Sequence, residues 1–137
     1  MKENRELMDQ KITDIGMCVI GCLNGRTFNK VILGFIIKKE DESVIKNIEL
    51  FYESTDNKIC YFNELIYNDE FDNTVEEQKY LELQKLLRDL YEYCVKCGDE
   101  WKYMTLTIEA DGAFKIDFKY DSIEISDWRK INNINMI

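Results

Sequence analysis

The sequence predicts an α+β domain: one mostly antiparallel sheet, built from a meander and a C-terminal hairpin, with two main helices packed on one face in the order α-β-β-β-α-β-β. Three observations predict it. Two stretches place apolar residues at steps of three and four, as one buried face of a helix requires. Five stretches alternate or run apolar over strand lengths, with turn residues between them. No proline-rich linker, internal repeat or low-complexity run divides the chain, so residues 1–137 read as a single domain.

In chain order, residues 4–23 carry Met8, Ile12, Ile15, Val19 and Cys22 on one stripe, and Asn24-Gly25 stops the helix. "FNKVILGFIIKK" is apolar on both faces, which suits a central strand covered at least in part on both sides. "EDES" turns the chain, "VIKNIELFYE" (44–53) returns, "STDN" (54–57) turns it again, and "KICYFNEL" (58–65) completes the meander. "YNDEFDN" (67–73) reads as a loop. Thr74-Val75-Glu76-Glu77 then has the spacing by which a cap residue and a first-turn acid satisfy free backbone amides reciprocally. Tyr80, Leu83, Leu87, Leu90, Cys94 and Cys97 follow as a helical stripe, and Gly98 sits where a C-cap belongs.

The last two strands are read from parity. Met104, Leu106 and Ile108 alternate with Tyr103, Thr105, Thr107 and Glu109, and Phe114, Ile116, Phe118 and Tyr120 alternate with Lys115, Asp117 and Lys119. A two-residue turn at Asp111-Gly112 would put the phenylalanines on the threonine face and expose half the core. A three-residue loop of Ala110, Asp111 and left-handed Gly112 instead pairs Ile108 with Phe114, Leu106 with Ile116, and Met104 with Phe118. It also sets Lys115 opposite Thr107.

Composition narrows the function. With 18 basic and 27 acidic residues the formal charge is −9, which disfavours direct binding to nucleic acid or to anionic membranes and favours a basic partner, although charge also serves solubility. "MKENRELMDQ" is charged throughout and no export signal follows it; "VILGFII" is too short for a membrane helix. Five cysteines, an odd count without an export signal, fit reduced thiols and a cytoplasmic location. Histidine is absent, which removes Ser-His and Cys-His catalysis.

The remaining chemistry is thin. Cys94-x-x-Cys97 has the spacing of a metal or redox pair, but both fall on the apolar helical stripe and no second CxxC completes four ligands, so packed core thiols are the expectation, as for Cys18 and Cys22. Carboxylate groups such as Asp69/Glu70/Asp72 and Asp117/Asp121 are too abundant to single out a site. No cofactor and no metal is expected, and a binding protein is favoured over an enzyme. The acidic loops at 40–42 and 69–77 could form a negative interaction face or simply be solvated turns. Tyr52, Tyr61, Tyr67, Tyr103, Trp101 and Trp128 are candidate anchors. Most of them are expected partly in the core, with Tyr103 on the polar face and Trp128 in a loosely held tail.

From Trp101 through Asp127 the chain resembles the C-terminal hallmark of the YezG-type antitoxin (immunity) family: a Trp before an apolar strand, a Gly-x-Phe turn, a strand ending in Phe-x-Tyr-Asp, then Ser-Asp. The matching positions are Trp101, Leu106, Ile108, Gly112, Phe114, Phe118, Tyr120, Asp121, Ser126 and Asp127. The opening helix with Ile15-Gly16, the "LFYES" of the meander, the acidic loop and the long helix agree in order. The chain departs from the family at "NGRTFNK", where Phe28 stands at about the position of a Trp and no proline occurs, and in its tail "WRKINNINMI".

The resemblance implies a bacterial cytoplasmic immunity protein that binds and neutralises a cognate toxin, typically the basic nuclease domain of a secreted polymorphic toxin with an LXG-type export region. Asp111, Asp117, Tyr120, Asp121, Asp127 and Trp128 are the expected partner-binding residues. Tyr120 reads equally as a core-edge aromatic, and Asp121 as a cap at the strand's end. The alternatives are a small metal- or thiol-dependent enzyme using carboxylates and Cys94/Cys97, or a general acidic adaptor. Self-association through an exposed edge strand stays open.

Overall fold

The structure, a computed structural model, describes residues 2–62 and 73–134. The elements run α1 (Lys2–Leu23), β1 (Lys30–Glu40), β2 (Ser43–Glu53), β3 (Ile59–Tyr61), α2 (Asn73–Lys96), β4 (Tyr103–Glu109), β5 (Phe114–Lys119) and α3 (Ile125–Ile131). This is the α+β order expected, with a third helix in what was read as a tail. The α1–α2 pair forms one unit, and the sheet with α3 forms a second.

In the helical unit the two stripes face each other. Ile15, Val19 and Cys22 of α1 are buried with Leu83, Leu87, Leu90 and Cys94 of α2, each large aliphatic side chain contributing about 1.5–3 kcal/mol by leaving water. Both helices end as their last residues dictate. Asn24 (φ 48°) and Gly25 (φ 84°) turn the chain out of α1, and Gly98 (φ 82°) does so for α2, where the Asp99 N–H closes back on the Cys94 carbonyl at 2.8 Å.

The sheet is antiparallel throughout, in the order β3-β2-β1-β4-β5, with β1 at its centre as its two-faced apolar run predicts. Residues 31–37 are all buried. The hairpin register is the one parity requires: Ile108↔Phe114, Leu106↔Ile116, Met104↔Phe118 and Thr107↔Lys115, around Gly112 at φ 88°. The third strand pairs with β2 from Ile59 to Tyr61 and has ended by Phe62; positions 63–65 of the expected strand lie outside the described residues. The expected loop at 67–73 lies outside the described residues up to its last position, Asn73, which already belongs to α2; the side chains of the Thr74–Glu76 part of the cap also lie outside them.

Two layers of side chains follow from the register. One face carries Val31, Leu33, Phe35, Leu50, Tyr52, Met104, Leu106 and Ile108, all buried. The other carries Ile32, Gly34, Ile36, Phe51, Glu49, Tyr103 and Thr105, and here the tail corrects the expectation of a loose end. Trp128 of α3 is 0% exposed and forms a cluster with Ile32, Ile36, Phe51 and Ile134. Its ring nitrogen donates to the Thr105 hydroxyl at 2.9 Å, so its one polar atom is satisfied where it is buried.

The indole lies on Gly34. A Cβ at that position would stand 2.6 Å from Cε2 and 2.8 Å from Cη2, and closer still to Cζ2, distances that no methyl group tolerates. Glycine in mid-strand is otherwise unfavourable, by about 0.5–1 kcal/mol relative to alanine. Gly34 is therefore the floor on which α3 sits. Beyond the helix, the Asn132 side chain donates to the Trp128 carbonyl at 2.9 Å, left-handed Asn133 (φ 59°) reverses the chain, and Ile134 returns to the same cluster.

Trp128→Ala is expected to lower unfolding free energy by about 3–5 kcal/mol, and Gly34→Ala by about 1–3 kcal/mol, in urea denaturation followed by circular dichroism. In the Trp128→Ala background, Gly34→Ala should cost nothing or stabilise slightly. An equal cost of Gly34→Ala in both backgrounds would show that the indole is not what excludes a side chain there.

Candidate functional site

The candidate site is the surface made by the β4–β5 hairpin, the 120–124 connection and α3. Its geometry starts from the unequal lengths of the strands. β4 pairs with β1 only from Lys30 to Ile36, whereas β1 and β2 continue together to Glu40 and Ser43. The last turn of this ribbon therefore stands clear of β4, exposing Val44 and Ile45. Lys38 on the ribbon bonds to Glu124 at 3.1 Å, and that carboxylate raises the lysine's pKa. The bridge separates two open hollows: one of about 380 Å³ bordered by Ile37, Lys102, Ser122 and Asp127, and one of about 310 Å³ bordered by Ile36, Ile45, Asn47, Ile125 and Ser126.

Beneath α3 lies an ion pair. Glu49, Gly34, Thr105 and Asp117 form one row across the sheet, and Arg129, next to Trp128, reaches Glu49 with a 2.6 Å bond from Nη2 to Oε1. Glu49 is only 3% exposed, and the guanidinium lies 5.7 Å from the ring centre of Phe51 and 5.9 Å from that of Tyr61. The second Glu49 oxygen and the Arg129 Nε have no hydrogen-bond partner, so the pair is half satisfied. Such a pair adds little net stability over apolar residues of the same volume, but losing one member leaves a charge stranded in the core. It ties α3 to β2 beside the Trp128 seat.

The residues expected to meet a partner divide unequally. Asp111, Asp117, Tyr120, Asp121 and Asp127 are exposed, whereas Trp128 is wholly buried and has no surface to offer. Asp111 has a local role as well: its carboxylate accepts the Ala113 N–H at 3.0 Å and closes the hairpin loop. It lies at the opposite end of β5 from Tyr120, roughly 20 Å away at about 3.3 Å per residue. Tyr120 is 57% exposed at the strand's end, next to Asp121, and Asp127 occupies the first turn of α3, where a negative charge favours the helix. Glu109, Asp111, Asp117, Asp121, Glu124 and Asp127 are all exposed along a stretch whose only cations are Lys115 and Lys119. Sequence reasoning missed Gly34, Glu124 and Arg129. Only the first left a signal, since an isolated Gly inside a strand marks close approach by another group.

The thiols divide too. Cys18, Cys22 and Cys94 are buried, but Cys97 is exposed in the turn after α2, which corrects the expectation that both CxxC thiols pack in the core. None of the five is disulfide-bonded. A hydrogen bond with Cys18, reinforced by burial, pushes the Cys22 thiol up, so it stays protonated and unreactive. Among the described residues no three acidic or cysteine side chains converge as a metal site, and no helix is long and apolar enough to cross a membrane.

Two outcomes test this geometry. Arg129→Met should destabilise the fold by about 3–5 kcal/mol, with Glu49→Leu added to it restoring most of the loss in the same denaturation assay. Iodoacetamide should alkylate Cys97 in the native protein and reach Cys18, Cys22 and Cys94 only on unfolding, as read by peptide mass spectrometry.

The model of a known family, described as "Immunity protein YezG-like", matches residues 27–136, from just before β1 through the α3 region. No curated protein matches the chain. The match leaves α1 outside but takes in all five strands, α2 and the surface described above, including the Gly112–Asp121 hairpin and Ser126-Asp127 that carry the resemblance. Covering most of the chain, it makes this protein a member of the YezG-like immunity protein family.

Proposed function

We propose that this protein is an antitoxin that neutralises a cognate secreted polymorphic toxin by stoichiometric binding in the bacterial cytoplasm, and that the toxin is a nuclease. The observation that carries the reading is the family match over residues 27–136. The charge gives it a physical basis. A nuclease must present a basic cleft to hold phosphate, and a chain of formal charge −9 is drawn to such a cleft while being repelled by nucleic acid itself. The acidic hairpin and α3 are the contact surface in this reading, with Asp117, Tyr120, Asp121 and Asp127 at its centre and Asp111 at its far end. Occupancy suffices and no substrate is turned over.

The design suits the task. An inhibitor made by the cell that carries the toxin must bind faster than the toxin acts, and complementary charge raises association rates well above the neutral range of about 10⁵–10⁶ per molar per second. The surface acids sit on a hairpin and a helix fixed by the Gly34–Trp128 seat, so little ordering is needed on binding.

Co-expression with the toxin of the adjacent reading frame should rescue growth and yield a stable one-to-one complex. Reversing Asp121 and Asp127 together to Lys should slow association about tenfold at low salt, with the difference shrinking as salt screens it. A failure to rescue, or unchanged association after the reversal, would contradict the reading.

A further inference from the structure

β5 is an end strand, and among the described residues no strand pairs with its outer side. Its hydrogen-bond parity follows from the loop. The Glu109 N–H donates to the Ala113 carbonyl at 2.9 Å, so with Thr107↔Lys115 and Thr105↔Asp117 in register, the backbone groups of Lys115, Asp117 and Lys119 face β4. Those of Phe114, Ile116 and Phe118 point outward, three N–H and three C=O groups in a row. The other end strand, β3, pairs over only three residues. Six residues of open edge are what another strand needs to add itself to the sheet.

The side chains along this edge specify what that strand is. A two-fold antiparallel pairing centred on Ile116 sets Phe114 opposite Phe118 of the partner subunit, and Ile116 opposite Ile116 of the partner subunit. Both extend one apolar face, on which Phe114 is 36% exposed and Ile116 and Phe118 are half-buried. On the other face it sets Lys115 opposite Asp117 of the partner subunit, twice. Because the outward hydrogen bonds belong to residues 114, 116 and 118, these charge pairs fall at the non-hydrogen-bonded positions, where side chains approach most closely.

Shifting the centre by one residue loses the match. Centred on Asp117, it opposes Asp117 to its own copy and Lys115 to Lys119; centred on Lys115, it opposes Lys115 to its own copy. Centring on Phe118 would need residues 120–122, which lie beyond the strand.

We propose that this chain forms a two-fold dimer through antiparallel β5–β5 pairing, joining two five-stranded sheets into one. The edge is complementary to itself in hydrogen bonding, apolar pattern and charge, in one register that lies within the strand. The interface is a single strand wide, so the dimer is reversible, with dissociation in the micromolar range. The proposal concerns the protein alone and does not rest on the toxin reading, but Asp117 belongs to both surfaces, so a bound toxin and a second β5 compete for it.

Sedimentation velocity of the purified full chain between about 5 and 500 µM should show concentration-dependent dimerisation. Lys115→Asp and Asp117→Lys each set like charges across the edge and should weaken association about tenfold or more, while circular dichroism and unfolding stay those of the wild type because both side chains are exposed. An equimolar mixture of the two variants should dimerise as the wild type does, since each then supplies the charge the other lacks, and the doubly swapped chain should recover self-association. A protein monomeric throughout this range would overturn the proposal. So would dimerisation unaffected by either variant, or single variants that fail to complement each other.

Discussion

The structure depends on one close contact, the face of the Trp128 indole on the bare backbone of Gly34. The centre of β1 has no side chain there, and the Trp128 indole fills the space instead. Everything around the contact is consistent with it. Thr105, paired with Gly34 from β4, receives the indole N–H. Glu49, paired with Gly34 from β2, receives Arg129. Three residues in one row of the sheet thus hold two consecutive residues of α3 by a steric seat, a hydrogen bond and an ion pair. The row continues to Asp117 on β5, whose side chain stays in solvent.

That seat turns a charged tail into a defined surface. Without it, a seven-residue helix would not persist in water, because nucleating so few residues costs more than their hydrogen bonds return. With it, Asp127 is held in the first turn of α3, Glu124 is bridged to Lys38, and Tyr120 and Asp121 are confined to the short connection between β5 and α3. The Glu49–Arg129 pair is a costly way to gain stability, and a displaced helix would leave the Glu49 carboxylate alone in the core. If the protein binds its partner by charge as proposed, the charges must keep their places, and the seat holds Asp127 in place.

The sheet was legible in the sequence and the site only in part, for identifiable reasons. Strand periodicity leaves one register for the β4–β5 hairpin that buries Ile108, Leu106 and Met104 together, so parity alone settles it. The apolar run at 31–37 places β1 at the centre for the same kind of reason. The α3 helix was not legible. It is short, its N-cap Glu124 makes no side-chain cap bond, and only Trp128 of its apolar residues is buried, while Ile131 is exposed. Cys97 was misplaced because a stripe extrapolated past the last turn of α2 carries no information on where the helix leaves its neighbour. The acids Asp111, Asp117, Asp121 and Asp127 were placed on the surface by their type and position, and they are there. Trp128 was placed there for want of any signal from its partner, Gly34, which lies far away in sequence.

Through Trp128, α3 belongs to the cooperative core of the sheet. Native-state hydrogen exchange of the Trp128 indole N–H and the α3 amides, measured by NMR alongside the β1 amides, tests it most directly. The indole proton is expected to exchange with the free energy of global unfolding, as the β1 amides do. Indole exchange at the rate of a frayed terminus, while β1 stays protected, would contradict it.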